Sequence, residues 1–448
     1  MRNLIFSILL LLCATAGAQT PIIQVTGGKV QGIDSKEPGV ALFKGIPYAA
    51  PPVGELRWRL PQPVIPWKGV KKCDTWSNIA PQPYQRPGAF YFKEFYWEDD
   101  WTRSEDCLYL NVWAPKATLG KTDARLPVVM WVHGGAYMTG YGFTRSMDGD
   151  AWAKRGVILV TINYRLGVLG FLNHEALEAE SERHISGNYG LADQIAALQW
   201  IHDNIAQMGG DPDNITVMGQ SAGGVSVKYL VTSPLSKPMI RRAIIQSAGG
   251  LSDMLTEKPD ERDFTKEGTE AMKKIGLTTL AEMRAASIDE VAQAPVWSFA
   301  APHPDGYLLP QTFQEAVLNN TVADVEYLIG GTLDDGFANQ CQQIDAFCYV
   351  RDSLSQKPVY QYLFARKLPG TDKVGAFHSS ELWFMFNTLG RSWRPFTSAD
   401  FDLSERMMDY WTNFAKYGNP NGESGGSWRP FTLTESYVEV LNVRHNFK

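Results

Sequence analysis

Five short, unbroken apolar runs limit the folds open to this chain more than any other feature. They are Val128-Val129-Met130-Trp131-Val132, Val157-Ile158-Leu159-Val160-Thr161-Ile162, Ile215-Thr216-Val217-Met218, Ala243-Ile244-Ile245 and Tyr327-Leu328-Ile329. A strand with one wet face alternates apolar and polar residues, whereas a strand covered on both faces reads as a continuous run. The segments between them have helical period: Leu191, Ile195, Leu198, Ile201, Ile205 and Met208 fall on one helical stripe. Strand and helix in alternation predict an α/β fold with a mostly parallel central sheet flanked by helices. Ahead of these runs, from Ile22 to about Pro66, Gly, Pro and short alternating stretches such as Lys29-Val30-Gln31-Gly32-Ile33 predict a small antiparallel sheet and surface turns.

A chain of 448 residues, 44% hydrophobic and 20% charged, supports a large core. No repeat, low-complexity tract or long linker divides it, so residues 19–448 read as one domain. The net charge of −6 excludes a duplex nucleic-acid binder, which needs a basic face to displace counterions from phosphates. Arg2, the apolar run from Leu4 to Leu12 and the small residues Ala16-Gly17-Ala18 predict a signal peptide over residues 1–18, cleaved before Gln19. That makes the protein secreted or periplasmic. The apolar run is too short for a membrane anchor, the alternative reading, and no later stretch reaches about 18 apolar residues, so no membrane span is expected. Cys13 leaves with the peptide. Four cysteines remain, Cys73, Cys107, Cys341 and Cys348, which allow three pairings. Export permits disulfides, and the sequence-local choice joins Cys73 to Cys107 and Cys341 to Cys348. Neither pair has zinc-ligand spacing backed by histidine, so no metal is implied.

The most informative five residues are Gly219-Gln220-Ser221-Ala222-Gly223. They follow a β-type run and precede a helix-compatible stretch, Val225 to Leu230, which is the context of a nucleophile elbow. A strand turning straight into a helix crowds both flanking positions, and glycine there avoids a Cβ clash. The serine hydroxyl then projects clear of the sheet, with a helix N-terminus near the developing negative charge. Attack by that hydroxyl produces an oxyanion, which needs preorganised N–H donors. One is expected from Ala222. Others are expected from the small residues of His133-Gly134-Gly135-Ala136, directly after a strand. His133, at the strand end before the glycines, fits a structural role better than that of a catalytic base. An ordinary strand-to-helix turn with a buried serine is the bland alternative.

With these motifs the chain resembles the type B carboxylesterase family of α/β-hydrolases. Glu105-Asp106-Cys107-Leu108-Tyr109-Leu110-Asn111-Val112 is similar to one family signature. Gly209-Gly210-Asp211-Pro212, followed by Asn214-Ile215-Thr216-Val217 and the elbow, resembles the other. Phe43-Lys44-Gly45-Ile46-Pro47-Tyr48-Ala49 and Asn163-Tyr164-Arg165-Leu166-Gly167 also match family blocks, and the resemblance runs from about Val25 to the C-terminus. It implies an α/β-hydrolase fold and a catalytic triad. Gly375-Ala376-Phe377-His378 resembles the segment that carries the base, which makes His378 the general base beside the nucleophile Ser221. His202, His174, His184, His303 and His445 have no such context and are taken as surface or satisfied residues. Gly330-Gly331-Thr332-Leu333-Asp334-Asp335-Gly336 resembles the block that carries the acid, and Asp335 is preferred to Asp334. The resemblance also implies oxyanion donors at Gly135, Ala136 and Ala222, and a supporting serine, Ser247, near the acid.

The sequence departs from the family in three places. Gln220 replaces the glutamate usual before the nucleophile, which weakens any choline-ester reading. Only 43 positions separate Asp335 from His378, fewer than usual, so a wider mouth is expected, its shortened loop stapled by Cys341 and Cys348. The stretch between Cys73 and Cys107 carries Trp76, Tyr84, Phe90, Tyr91, Phe92, Phe95, Tyr96, Trp97 and Trp101. These rings either wall one side of the site, which suits aromatic or sugar-linked esters, or simply pack that loop onto the body. The whole reading predicts a monomeric serine esterase that hydrolyses small-molecule carboxylic esters through an acyl-enzyme, with no cofactor and no partner besides its substrate. A lipase for longer acyl esters, or a non-catalytic binding module on the same fold, are the alternatives.

Overall fold

The structure, a computed structural model, describes residues 20–96, 100–252, 262–295, 301–335, 340–423 and 425–443. The expected signal peptide therefore lies outside the described residues, as do Trp97, His445 and the side chain of Cys341.

Thirteen strands are described: β1 (Ile22–Val25), β2 (Gly28–Gln31), β3 (Ile33–Asp34), β4 (Val40–Pro47), β5 (Val70–Lys72), β6 (Tyr109–Pro115) and β7 (Leu126–Val132), then β8 (Ile158–Ile162), β9 (Gly210–Gln220), β10 (Arg242–Gln246), β11 (Glu326–Thr332), β12 (Val359–Phe364) and β13 (Val438–Leu441). Ten of them form one sheet in the order β13-β12-β11-β10-β9-β7-β8-β6-β4-β3. From β13 to β8 every neighbour is parallel, and the β8-β6-β4-β3 edge is antiparallel. The small N-terminal sheet is an antiparallel β1-β2 hairpin to which β5 adds in parallel.

All five apolar runs lie in this parallel part, and β7 shows why they read as they do. Val128, Met130 and Val132 pack into one large core beneath the sheet, while Val129 and Trp131 pack into another above it. With successive side chains on opposite faces and a core on each, neither face tolerates polarity. The first core takes the helices α1 (Tyr189–Asn204) and α2 (Ala222–Thr232); the second takes α4 (Ser398–Tyr417), with α3 (Gln340–Ser353) falling between them in sequence. The apolar stripe expected to run as one helix to Met208 changes at Ile205 to a 3₁₀ turn, which Gly209 ends with φ 87°.

Strands running parallel deliver their carboxyl ends to one edge of the sheet. There β7 leads into residues 133–136, β9 into Ser221, β11 into Asp335, and the segment after β12 into His378. Residues more than 240 positions apart in sequence thus meet at the edge where open α/β sheets bind ligands.

Candidate active site

At the end of β9 the chain turns into α2 within a single residue. Ser221 occupies that corner at φ 57°, ψ −128°, a conformation costly for any residue with a Cβ. Its backbone N–H donates to Gln246 O at 2.8 Å, pinning the corner to β10. A Cβ on Gly219 would clash with the Gly223 carbonyl, and one on Gly223 with the Val132 carbonyl of β7. Both glycines are therefore demanded by backbone crowding, as the sequence pattern implied.

The turn after β7 lies against this corner. A Cβ on Gly134 would stand 2.7 Å from Gln220 O and 3.0 Å from the Ser221 Cβ. Gly135 at φ 114° and Ala136 at φ 53° curl the chain, and among the described residues their N–H groups donate to no backbone carbonyl. Ala222 opens α2, where a first-turn N–H has no helical acceptor. Gly135, Ala136 and Ser221 line one cavity of about 410 Å³ together with His378.

His378 is fixed from its far side. Its Nδ1 stands 2.8 Å from Asp335 Oδ1, and Thr332 Oγ1 donates to Asp335 Oδ2 at 3.3 Å. Asp335 is 6% exposed. Its neighbour Asp334 is solvent-exposed and points elsewhere, accepting the Ala376 N–H at 2.8 Å and so shaping the segment that carries the histidine. With Nδ1–H donated to the carboxylate, Nε2 keeps a lone pair, and the Gln220 side-chain amide donates to it at 3.2 Å. The residue that departs from the family pattern thus touches the expected base.

The remaining expectations divide. His133 is buried and stacked on Tyr164 with ring centroids 4.5 Å apart, and burial pushes its pKa down to about 4, so it stays neutral as a structural residue. His174 caps a helix by accepting the Ala176 N–H, His303 stacks on Phe264, and His184 and His202 lie toward the surface. Ser247 follows β10 at φ 47° with its N–H on Gly330 O, but its hydroxyl has no hydrogen-bond partner among the described residues and makes no bond to Asp335.

Both expected disulfides need correction. Cys73 and Cys107 are free buried thiols, the first beside Lys71 and Asp74, the second beside Asp193 and Arg165. Burial raises both thiol pKa values, Cys73 to about 12, so neither is a ready thiolate. Cys341 and Cys348 lie on α3. Seven residues of α-helix separate their Cα atoms by about 10.5 Å, beyond the reach of a bridge. The free Cys348 thiol is buried in the core. Helix α3, not a stapled loop, fills the shortened segment.

The aromatic stretch plays both expected parts. Trp76 stacks on Phe143 at 4.8 Å and Trp101 meets it edge-on at 5.2 Å, packing the loop onto the body. Tyr91, Phe95 and Tyr96 face the cavity, with Phe95 stacked on Trp383 at 5.5 Å. Tyr91 Oη donates to the His378 carbonyl at 3.3 Å. Beneath this wall Glu94 makes a buried ion pair with Arg394, whose guanidinium also binds Asp372.

One group escaped the sequence reading. Glu381 is fully buried three residues after His378, accepting a long 3.5 Å bond from the Gln246 amide and leaving Oε2 unpaired. Burial pushes its pKa up to about 7, an effect eased by His378 and reinforced by Asp335. The signal was present: Glu381 is the charge that heads the apolar run Leu382-Trp383-Phe384-Met385-Phe386. Among the described residues no group of three or more His, Cys, Asp or Glu side chains gathers to hold a metal, and no helix is long and apolar enough to cross a membrane.

A strained serine elbow, a glycine turn and a buried acid–histidine pair at the carboxyl edge of a mostly parallel sheet define an α/β-hydrolase. The chain matches the carboxylesterase family over residues 19–356 and 343–448 and belongs to it. It is 33% identical to the para-nitrobenzyl esterase of Bacillus subtilis, over 90% of this chain and 91% of that protein. It is 32% identical to a fumonisin B1 esterase of Sphingopyxis macrogoltabida, over 90% and 83%. A solved structure of a PNB esterase superposes with a TM-score of 0.80 at 28% identity, covering 95% of this chain and 96% of that one. The protein is a serine carboxylesterase, and its substrates are small-molecule esters.

Proposed function

We propose that Ser221, His378 and Asp335 form the catalytic triad. Ser221 Oγ attacks the ester carbonyl as His378 Nε2 takes its proton, and Asp335 stabilises the imidazolium that results. The N–H groups of Gly135, Ala136 and Ala222 receive the tetrahedral oxygen. The imidazolium returns its proton to the departing alcohol, and water repeats the sequence on the acyl-enzyme to release the acid. The observation that carries this reading is the 2.8 Å bond between His378 Nδ1 and the buried Asp335 carboxylate, with His378 and Ser221 lining one cavity. For Nε2 to accept the serine proton, the Gln220 amide must yield its place on that nitrogen.

The substrates we assign are small esters with an aromatic or sugar-linked part. Tyr91, Phe95, Tyr96 and Tyr141 line the cavity with rings, and an ester bearing an aromatic ring, the para-nitrobenzyl group, is also what the name of the Bacillus subtilis relative specifies. Residues 19–448 act as one catalytic unit, exported after removal of residues 1–18, as the leader pattern supports. The test is Ser221→Ala. It should abolish labelling by a fluorophosphonate probe and cost on the order of a millionfold in kcat on para-nitrophenyl acetate. Labelling that persists in the variant refutes the assignment.

A further inference from the structure

A second cavity of about 570 Å³ lies beside the first, within the size range of small-molecule sites. Met138 lines both. Gln82, on the second cavity, donates to Gly140 O at 3.0 Å and accepts the Gly140 N–H at 2.8 Å, and Gly140 lines the first. Gly140 in turn lies against the oxyanion turn, since a Cβ there would clash with the Gly134 carbonyl. A flexible thioether and a glutamine bridge therefore stand between the second hollow and the turn expected to hold the oxyanion.

The lining of that hollow states what it takes. Leu166, Val168 and Leu169 form a buried apolar floor, and Ile288 stands on the opposing helix Ile288–Val291. Tyr84 lies at the rim with the Arg103 guanidinium 3.7 Å over its ring. Of the charged residues that line the hollow, Arg103 lies over the Tyr84 ring and Asp289 is exposed at the rim, so an apolar alkyl or aryl group gains most by reaching the apolar floor. A methionine wall suits such a role, because an unbranched thioether repacks around ligands of different shape.

We propose that this second cavity is a distal subsite for the apolar part of the ester, with Met138 as the adaptable wall between it and the reaction centre. The inference rests on ester hydrolysis at Ser221. It predicts a bipartite specificity: small esters use the first cavity alone, while esters with a long alkyl or aryl part extend past Met138.

The test compares kcat/KM for para-nitrophenyl acetate and para-nitrophenyl decanoate, and for ethyl and naphthylmethyl acetates, so that acyl and alcohol extensions are read separately. Ala292→Trp fills the second cavity from its exposed rim and should lower kcat/KM for one extended series at least fivefold, through KM, while para-nitrophenyl acetate stays within twofold. Asp289→Trp, also on the exposed rim, gives the same readout should the first variant fold poorly. Met138→Ala should shift the preference toward the bulkiest extended esters. Ratios of extended to small ester unchanged in all three variants overturn the subsite. Loss of activity on every ester with retained folding points instead to a fault in the Ser221 reading, which probe labelling of the parent protein checks independently.

Discussion

Asp334 and Asp335 are adjacent, carry the same charge and lie in one loop, so replacing each with asparagine gives a matched test of the proposed acid. Asp335 makes the 2.8 Å bond to His378 Nδ1 from a site 6% exposed to solvent. Asparagine there removes the charge that stabilises the imidazolium and can present an NH₂ to Nδ1, which drives the ring proton to Nε2 and blocks it as a base. Loss of that arrangement costs about 10⁴-fold in kcat, or about 5.5 kcal/mol of barrier at 1.36 kcal/mol per decade. Asp334 instead accepts the Ala376 N–H at 2.8 Å from an exposed position. An asparagine carbonyl still accepts that bond, so the expected loss is at most about 1 kcal/mol, less than tenfold in rate. The assay is steady-state hydrolysis of para-nitrophenyl acetate at pH 8, with a thermal melt to confirm folding. Three orders of magnitude should separate the two variants. A loss at Asp334→Asn equal to or larger than that at Asp335→Asn would refute the assignment of the acid.

Further expectations follow from the surrounding structure. Glu381 has its folded pKa raised to about 7 from an ordinary 4.5, so the folded state binds its proton more tightly than the unfolded chain does. The stability this proton supplies is complete below about 4.5 and lost as pH rises through about 7; Glu381→Gln should therefore flatten the fall in Tm between pH 5 and 8, and an unchanged slope would count against a buried carboxyl there. Glu94→Ala leaves the buried Arg394 with Asp372 as its one charged partner among the described residues, at a cost of about 3 kcal/mol, so a calorimetric melt should show a clear drop in Tm, with KM raised as residues 90–96 loosen; a melt identical to the parent's would contradict the anchoring role. Gly223→Ala places a methyl against the Val132 carbonyl, which should cost about 3 kcal/mol or more and cut soluble yield and activity together; a well-folded, fully active variant would show that the elbow is less crowded than described.

The parts of this molecule legible in its sequence were those where a single backbone demand excludes most residues. The runs in β7 to β11 read correctly because strands buried on both faces leave little room for polar residues, the short threonines Thr161 and Thr216 being fully buried exceptions. The elbow read correctly because only glycine fits beside the Val132 carbonyl. What failed depended on relations in space that spacing does not encode. Cys341 and Cys348 are close in sequence, but a helix between them sets their Cα atoms about 10.5 Å apart. Cys73 and Cys107 are both buried, yet each remains a free thiol. Glu381 escaped because a carboxylate three residues from the proposed base looks like any helix-start acid until its burial is known. Gln220 marks the boundary between the two kinds. The sequence flagged it as an absent charge, whereas the fold sets its amide on His378 Nε2, the nitrogen that receives the serine proton in the proposed triad. An amide donor there competes with the Ser221 hydroxyl for one lone pair, whereas a carboxylate at the same position would instead favour the protonated ring. The substitution therefore bears directly on the proposed base.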